Sequence, residues 1–233
     1  MGCDMNRPSA IWITGMLLAA LLAGCQGGGD AQFYNDQGID QLRHDQYDQA
    51  RASFKKALEI SPKDGVIWGN LGVALSRLEQ YDEALAAYKK SDELAPGDPI
   101  TVAEIGSVNY RLGHYPEAEA KFREAIRLEP KAPEFHSSLA LALLKQGKPE
   151  AARAELDKAL PEADKRGLVR YQQAAFQLIE GQADAALETF SKSLAVYPAG
   201  ARSAVSDPDF EPLYDNPEFQ KLVGDWWRPA GSK

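Results

Sequence analysis

The sequence is poor in residues that perform chemistry. Of 233 residues only two are cysteine and three histidine, which excludes a disulfide-built scaffold and a cysteine-built zinc cluster. Basic residues are the minority: 26 Lys plus Arg stand against 34 Asp plus Glu, for a net charge of −8. That balance argues against nucleic acid, which needs a basic face to replace its counterions. No HExxH, GxSxG, phosphate-binding loop or dinucleotide fingerprint occurs. His44, His114 and His136 have no second ligand at metal spacing, and His114 and His136 read as exposed structural histidines. Carboxylate pairs such as Glu117 and Glu119 fall on solvated helix faces. The sequence therefore predicts no enzyme, no cofactor, no metal and no small-molecule substrate. Long apolar runs are also missing. The one clear run, Ile11–Leu22, rises only about 18 Å as a helix, short of the roughly 30 Å hydrocarbon core.

That run follows a positive Arg7 and ends in Leu22-Ala23-Gly24-Cys25, the order of a cleavable signal peptide. A start at Met5 gives a cleaner version of the same signal. The four residues resemble the lipobox of bacterial lipoproteins. The resemblance implies cleavage of residues 1–24, diacylglyceryl attachment to the Cys25 thiol and acylation of the new amine. Several acyl chains exceed the two-signal threshold for stable anchoring. Gln26 is not the aspartate associated with inner-membrane retention, so the expected address is the outer membrane, facing the periplasm. Residues 25–30 then form the lipidated cysteine and a glycine-rich tether, whose five residues after Cys25 reach roughly 12 Å.

From residue 31 to residue 200 the chain repeats every 34 residues. Ala50, Ala84, Ala118, Ala152 and Ala186 form one small column. Phe54, Tyr88, Phe122, Leu156 and Phe190 form a large one, and Gly38, Gly72, Gly106, Ala140 and Ala174 another small one. Ala57, Ser91, Ala125, Ala159 and Ser193 are small again, while Pro62, Pro96, Pro130 and Pro198 share a grid with Asp164 in the open slot. Within one period Trp68, Leu71, Gly72 and Leu75 make one helical stripe. A second run carries Ala84, Leu85 and Tyr88 on one face, and proline ends it by removing a donor and restricting the residue before it. Neither helix pair can bury its stripe alone, so neighbours must stack.

These columns resemble the tetratricopeptide repeat. The resemblance covers five repeats, 31–64, 65–98, 99–132, 133–166 and 167–200. It implies an all-α fold, a right-handed superhelical solenoid of five antiparallel helix pairs. Repeat one carries Tyr34 and Gln37 where bulky apolar residues are usual, and repeat five carries Arg170 and Gln173. Pro161 comes three positions early, so the second helix of repeat four should stop near Leu160. Residues 201–233 read as a C-terminal helical cap and tail over the open end. Asp207-Pro208 and Asn216-Pro217 look like N-caps followed by proline at the first helical position. Phe210, Leu213, Phe219, Leu222 and Val223 supply apolar faces, and Trp226-Trp227 close the edge of repeat five or meet a partner.

The resemblance further implies that the first helix of each pair lines a concave groove. The expected partner-binding positions are Asn35, Ile39, Arg43, Asn70, Val73, Arg77, Ser107, Tyr110, Arg111, Leu141, Lys145 and Tyr171, with Leu42, Ser138, Ala175 and Leu178 among their exposed neighbours. Arg43, Arg77, Arg111 and Lys145 share one column and would span about 30 Å at ~10 Å per stacked pair. Two explanations stand: a rail that grips carboxylates of a bound segment, or cations that complement helix dipoles. Asn70 fits the two-carboxylate clamp of chaperone-binding relatives, but Gly69 and Ala103 stand where its lysines would be sought, so chaperone-tail binding is not expected. The resulting expectation is a noncatalytic adaptor or scaffold for cell-envelope factors, bound to membrane by its lipid. Pilot lipoproteins that escort secretin subunits are the alternative, and a periplasmic enzyme is the remaining class.

Overall fold

The computed structural model describes residues 31–163 and 165–226. The signal segment 1–24, the expected lipidation at Cys25, the tether 26–30, Asp164 and Trp227 lie outside the described residues. Those described are helices and turns with no strand. The chain forms two compact units, divided between Pro96 and Gly97.

The first unit holds two helix pairs: α1 (31–43) with α2 (Tyr47–Ile60), and α3 (Gly65–Arg77) with α4 (Tyr81–Leu94). Ser53 on α2 donates to Gln41 of α1 at 2.8 Å, and α2 packs on α3 as well as α3 on α4. The second unit holds three pairs. These are α5 (Pro99–Arg111) with α6 (Tyr115–Leu128), α7 (Pro133–Lys145) with α8 (Pro149–Ala159), and α9 (Gly167–Ile179) with α10 (Ala183–Leu194). Here α7 packs against α6, α8 and α9, and α5 also reaches α7. Within each unit, neighbouring helix pairs thus pack on one another, as stacked repeats require.

Local sequence sets the helix ends. Asp64 accepts from the amides of Val66 and Ile67, and Asp98 does the same for Ile100 and Thr101, satisfying orphan donors at the starts of α3 and α5. The turn inside each pair needs one left-handed residue. Gly113, Gly147 and Gly181 take it with φ between 72° and 78°, whereas Asp45 and Glu79 adopt 58° and 60°. α8 ends at Ala159 and passes into a 3-10 turn at Leu160–Glu162, because Pro161 cannot continue an α-helical ladder.

The repeating columns form the core. The five alanines at Ala50, Ala84, Ala118, Ala152 and Ala186 are fully buried, and the large residues beside them are buried too. A Cβ placed on Gly72 would lie 2.7 Å from the Tyr88 ring, and one on Gly106 2.8 Å from the Phe122 ring. In the first three repeats glycine leaves that space to the ring, whereas repeat five carries Ala174 in the column opposite Phe190. Where the ring shrinks to Leu156, the column carries Ala140.

Beyond α10 the second unit continues through α11 (Gly200–Ala204), a 3-10 segment at Pro208–Leu213, and α12 (Pro217–Val223) with a final 3-10 turn at Gly224–Trp226. The expected N-caps are present: Asp207 accepts from the Asp209 amide, and Asn216 from Glu218 and Phe219. After Asp207 the backbone is 3-10 rather than α, with Pro212 inside the segment. Phe210, Leu213, Phe219 and Val223 are buried and join one apolar cluster with α7, α9 and α10. Trp226 stays 44% exposed with the Arg202 guanidinium over its ring at 4.8 Å.

Candidate functional site

In the second unit the basic column meets the chain's own tail. Arg111 and Lys145 are the final residues of α5 and α7, and both point at the Asp207-Pro208-Asp209 turn. The Arg111 Nη1 and Nη2 atoms donate to Oδ1 and Oδ2 of Asp207 at 2.6 and 2.9 Å, the bidentate geometry that a planar guanidinium favours. Lys145 Nζ lies 2.5 Å from Asp209 Oδ1. Tyr171 Oη of α9 donates to Asp207 Oδ2 at 2.8 Å, and Tyr110 Oη donates to Asp209 Oδ2 at 2.5 Å.

The charges balance where water is scarce. The Asp207 and Asp209 side chains are only 4% and 5% exposed, a placement that demands paired partners. Burial pushes the Tyr110 and Tyr171 hydroxyls well above the usual phenol range, and the neighbouring carboxylates raise them further. Both phenols therefore keep their protons and act as donors. Pro208 at the first position after the cap presets the backbone, so two carboxylates project from one rigid turn.

Aromatic packing locks the turn in place. Phe210 stacks on Tyr171 with centroids 4.8 Å apart and packs on Phe190 at 5.0 Å. Phe219 packs on Phe190 at 5.5 Å, and Tyr214 Oη donates to the Asp207 carbonyl. Burying Phe210, Leu213, Phe219 and Val223 contributes roughly 1.5–3 kcal/mol each. An outside segment would also compete with one tethered at an effective concentration of about millimolar. This face of the second unit is filled from within the chain.

Several groove positions expected to be exposed are buried. Leu141, Tyr171, Ala175 and Leu178 belong to the same apolar cluster as Phe210 and Leu213, where α7 packs on α9 and Phe210 stacks on Tyr171. Ser107 bonds the Ala103 carbonyl of its own helix, and Ser138 accepts from Gln172. In the first unit Asn35 is buried and accepts from Asn70 at 2.9 Å, joining α1 to α3. Ile39, Leu42 and Val73 are half-buried, and Arg43 and Arg77 are exposed. His136 also departs from expectation: its side chain is 12% exposed, with Nδ1 2.7 Å from Glu155 Oε2 and Nε2 3.2 Å from the Pro130 carbonyl. It sits in the column of Trp68, whose Nε1 donates to the Pro62 carbonyl. His114 is exposed at the start of α6.

The residues missed by sequence reasoning are Asp207 and Asp209 as partners of the basic column. The sequence shows the ingredients, two carboxylates flanking a proline and two cations one repeat apart, but nothing in it pairs them.

Among the described residues no group of three His, Cys, Asp or Glu side chains is placed to hold a metal. No described helix is long and apolar enough to cross a membrane. No curated protein matches the chain in sequence. The thermophilic TPR protein TTC0263 of Thermus thermophilus is similar in structure, with a TM-score of 0.62 and 23% identity over 72% of this chain and 92% of that one. MamA of Desulfovibrio magneticus RS-1 gives 0.58 and 19% over 74% of this chain and 97% of that one. The first TPR of Spaghetti (RPAP3), solved bound to the HSP90 peptide SRMEEVD, gives 0.50 and 19% over 52% and 95%. Likeness at these identities establishes the fold. A family model for the tetratricopeptide repeat matches residues 35–99 and 104–166, more than half of the chain, and with the columns and helix pairs above it shows that this chain belongs to the tetratricopeptide repeat family.

Proposed function

We propose that the chain is a noncatalytic adaptor of the bacterial cell envelope. In this reading it is tethered by lipid at Cys25 to the outer membrane, faces the periplasm, and binds segments of other proteins on faces formed by the first helices of its repeats. The grip of Arg111 and Lys145 on Asp207 and Asp209 carries the binding half, because it supports such a face holding a peptide turn by its side chains. Peptide binding by a protein of similar fold agrees with it. The membrane half is supported by the order of Arg7, the Ile11–Leu22 run and Leu22-Ala23-Gly24-Cys25.

Site-specific photo-crosslinking in living cells tests the binding half. A crosslinker at Val73, half-buried on α3 of the first unit, is expected to trap an envelope protein that a probe at Lys89 on α4 does not. No adduct specific to Val73 rejects the adaptor. Labelling with radioactive palmitate tests the anchor: label and outer-membrane fractionation are expected in the wild type and lost in Cys25→Ser. An unlabelled wild type rejects the tether. Deletion separates this reading from escort of secretin subunits. Intact secretin rings with altered envelope complexes are expected, and failure of rings to reach the outer membrane favours the escort.

A further inference from the structure

In the second unit two members of the basic column hold carboxylates of the chain's own tail. Two cations in the last turns of successive first helices, Arg111 and Lys145, receive the two carboxylates of one Asp-Pro-Asp turn. The first unit carries cations at the same two column positions, with Leu42 and Ser76 in the column of Tyr110. Arg43 ends α1 and Arg77 ends α3, at the same column positions, and the Asn35–Asn70 bond ties those two helices together. Both arginines are exposed, and neither forms an ion pair with a described residue. Half-buried Ile39, Leu42 and Val73 lie on the same two helices, offering apolar surface beside the charges.

We infer that Arg43 and Arg77 bind an Asp-x-Asp turn of a partner protein, in the way that Arg111 and Lys145 bind Asp207 and Asp209. The inference rests on the adaptor reading and names the chemistry its partner presents. Charge complementarity drives it. The chain is acidic as a whole, at −8, so a paired cationic site on it discriminates acidic turns from the rest of its own surface. Guanidinium forks add geometric selection, because each matches a carboxylate by two parallel bonds. Exposed cations make the binding salt-dependent, since charges in water are screened within about 10 Å at 0.1 M salt. The alternative role of Arg43 and Arg77, complementing helix dipoles, predicts no ligand.

The probe is a fluorescent synthetic peptide AVSDPDFEPL, the sequence of residues 204–213, titrated against the full chain in detergent and followed by anisotropy. Binding is expected, weakening as salt is raised, and falling at least tenfold in the Arg43→Glu/Arg77→Glu variant. A peptide with both aspartates replaced by asparagine is expected to lose the same factor. The Arg43→Gln/Arg77→Gln variant removes charge without reversing it, and its unchanged unfolding midpoint would separate loss of binding from loss of fold. No binding by the wild type, or binding unchanged in both double variants, overturns the inference. A Val73 adduct obtained while the peptide fails to bind rejects the acidic turn and leaves the adaptor standing; no adduct with the peptide bound does the reverse.

Discussion

Arg111 and Asp207, 96 residues apart in the chain, meet through two guanidinium–carboxylate hydrogen bonds of 2.6 and 2.9 Å. The contact ties the last turn of α5 to the start of the tail, across two intervening repeats of the same unit. It makes the tail part of the repeat array rather than an appendage to it.

Removing Arg111 strands a carboxylate that is 4% exposed. Arg111→Met is expected to cost about 3 kcal/mol, the lower end for a broken buried pair because the arginine side chain is itself 29% exposed. Asp207→Asn in the same background should recover part of that loss, since a neutral amide needs no counter-charge. Urea unfolding of the single and double variants measures both. Equal and additive losses would show that the two residues are not coupled.

Gly106 lies where a Cβ would meet the Phe122 ring at 2.8 Å. Gly106→Ala is expected to destabilise by about 1–3 kcal/mol through overpacking. Phe122→Leu should relieve the clash, reproducing the natural pairing of Ala140 with Leu156. A double-variant cycle on thermal unfolding checks the sign of the coupling.

Glu79 holds the left-handed turn residue at φ 60°, where later repeats use glycine. A side chain in that region costs roughly 1–2 kcal/mol, offset in part by the greater freedom of glycine when unfolded. Glu79→Gly is therefore expected to stabilise by up to about 1 kcal/mol, read as a raised denaturation midpoint. Asp45 is a poorer target, because its carboxylate accepts from Tyr47 Oη at 2.5 Å.

Burial would raise the Glu119 carboxyl, but hydrogen bonds from Lys148, Arg123 and Gln146 outweigh it and hold the group down to about 2. A folded value below the unfolded 4.5 means the group stabilises the fold above about pH 4.5, and that contribution is lost as pH falls toward 2. Glu119→Gln should be less stable than the wild type at about pH 7, with the gap closing by about pH 2.5. Urea midpoints across that pH range decide it.

Much of the fold is legible in the residues alone. The repeats announce themselves through local spacing: a small residue opposite a large one, alanine where helices approach, Asp64 and Asp98 where helices begin, and in four of the five a proline where they end. Departures were legible too, as α8 stops at Ala159 beside the early Pro161. The exposure of groove positions was not. Leu141, Tyr171, Ala175 and Leu178 have the spacing of a free concave face, and the packing of α7 on α9 together with the returning tail buries them.

The 34-residue period and the helix ends follow from the sequence by itself, because they depend on residues within a few turns of one another. So does the column of cations at 43, 77, 111 and 145. Which of those cations already have an acidic partner was decided by tertiary structure alone. Ion pairs between residues 96 and 64 positions apart leave no periodic trace, and it is the burial of Phe210 between Tyr171 and Phe190 that brings Asp207 and Asp209 within reach of α5 and α7.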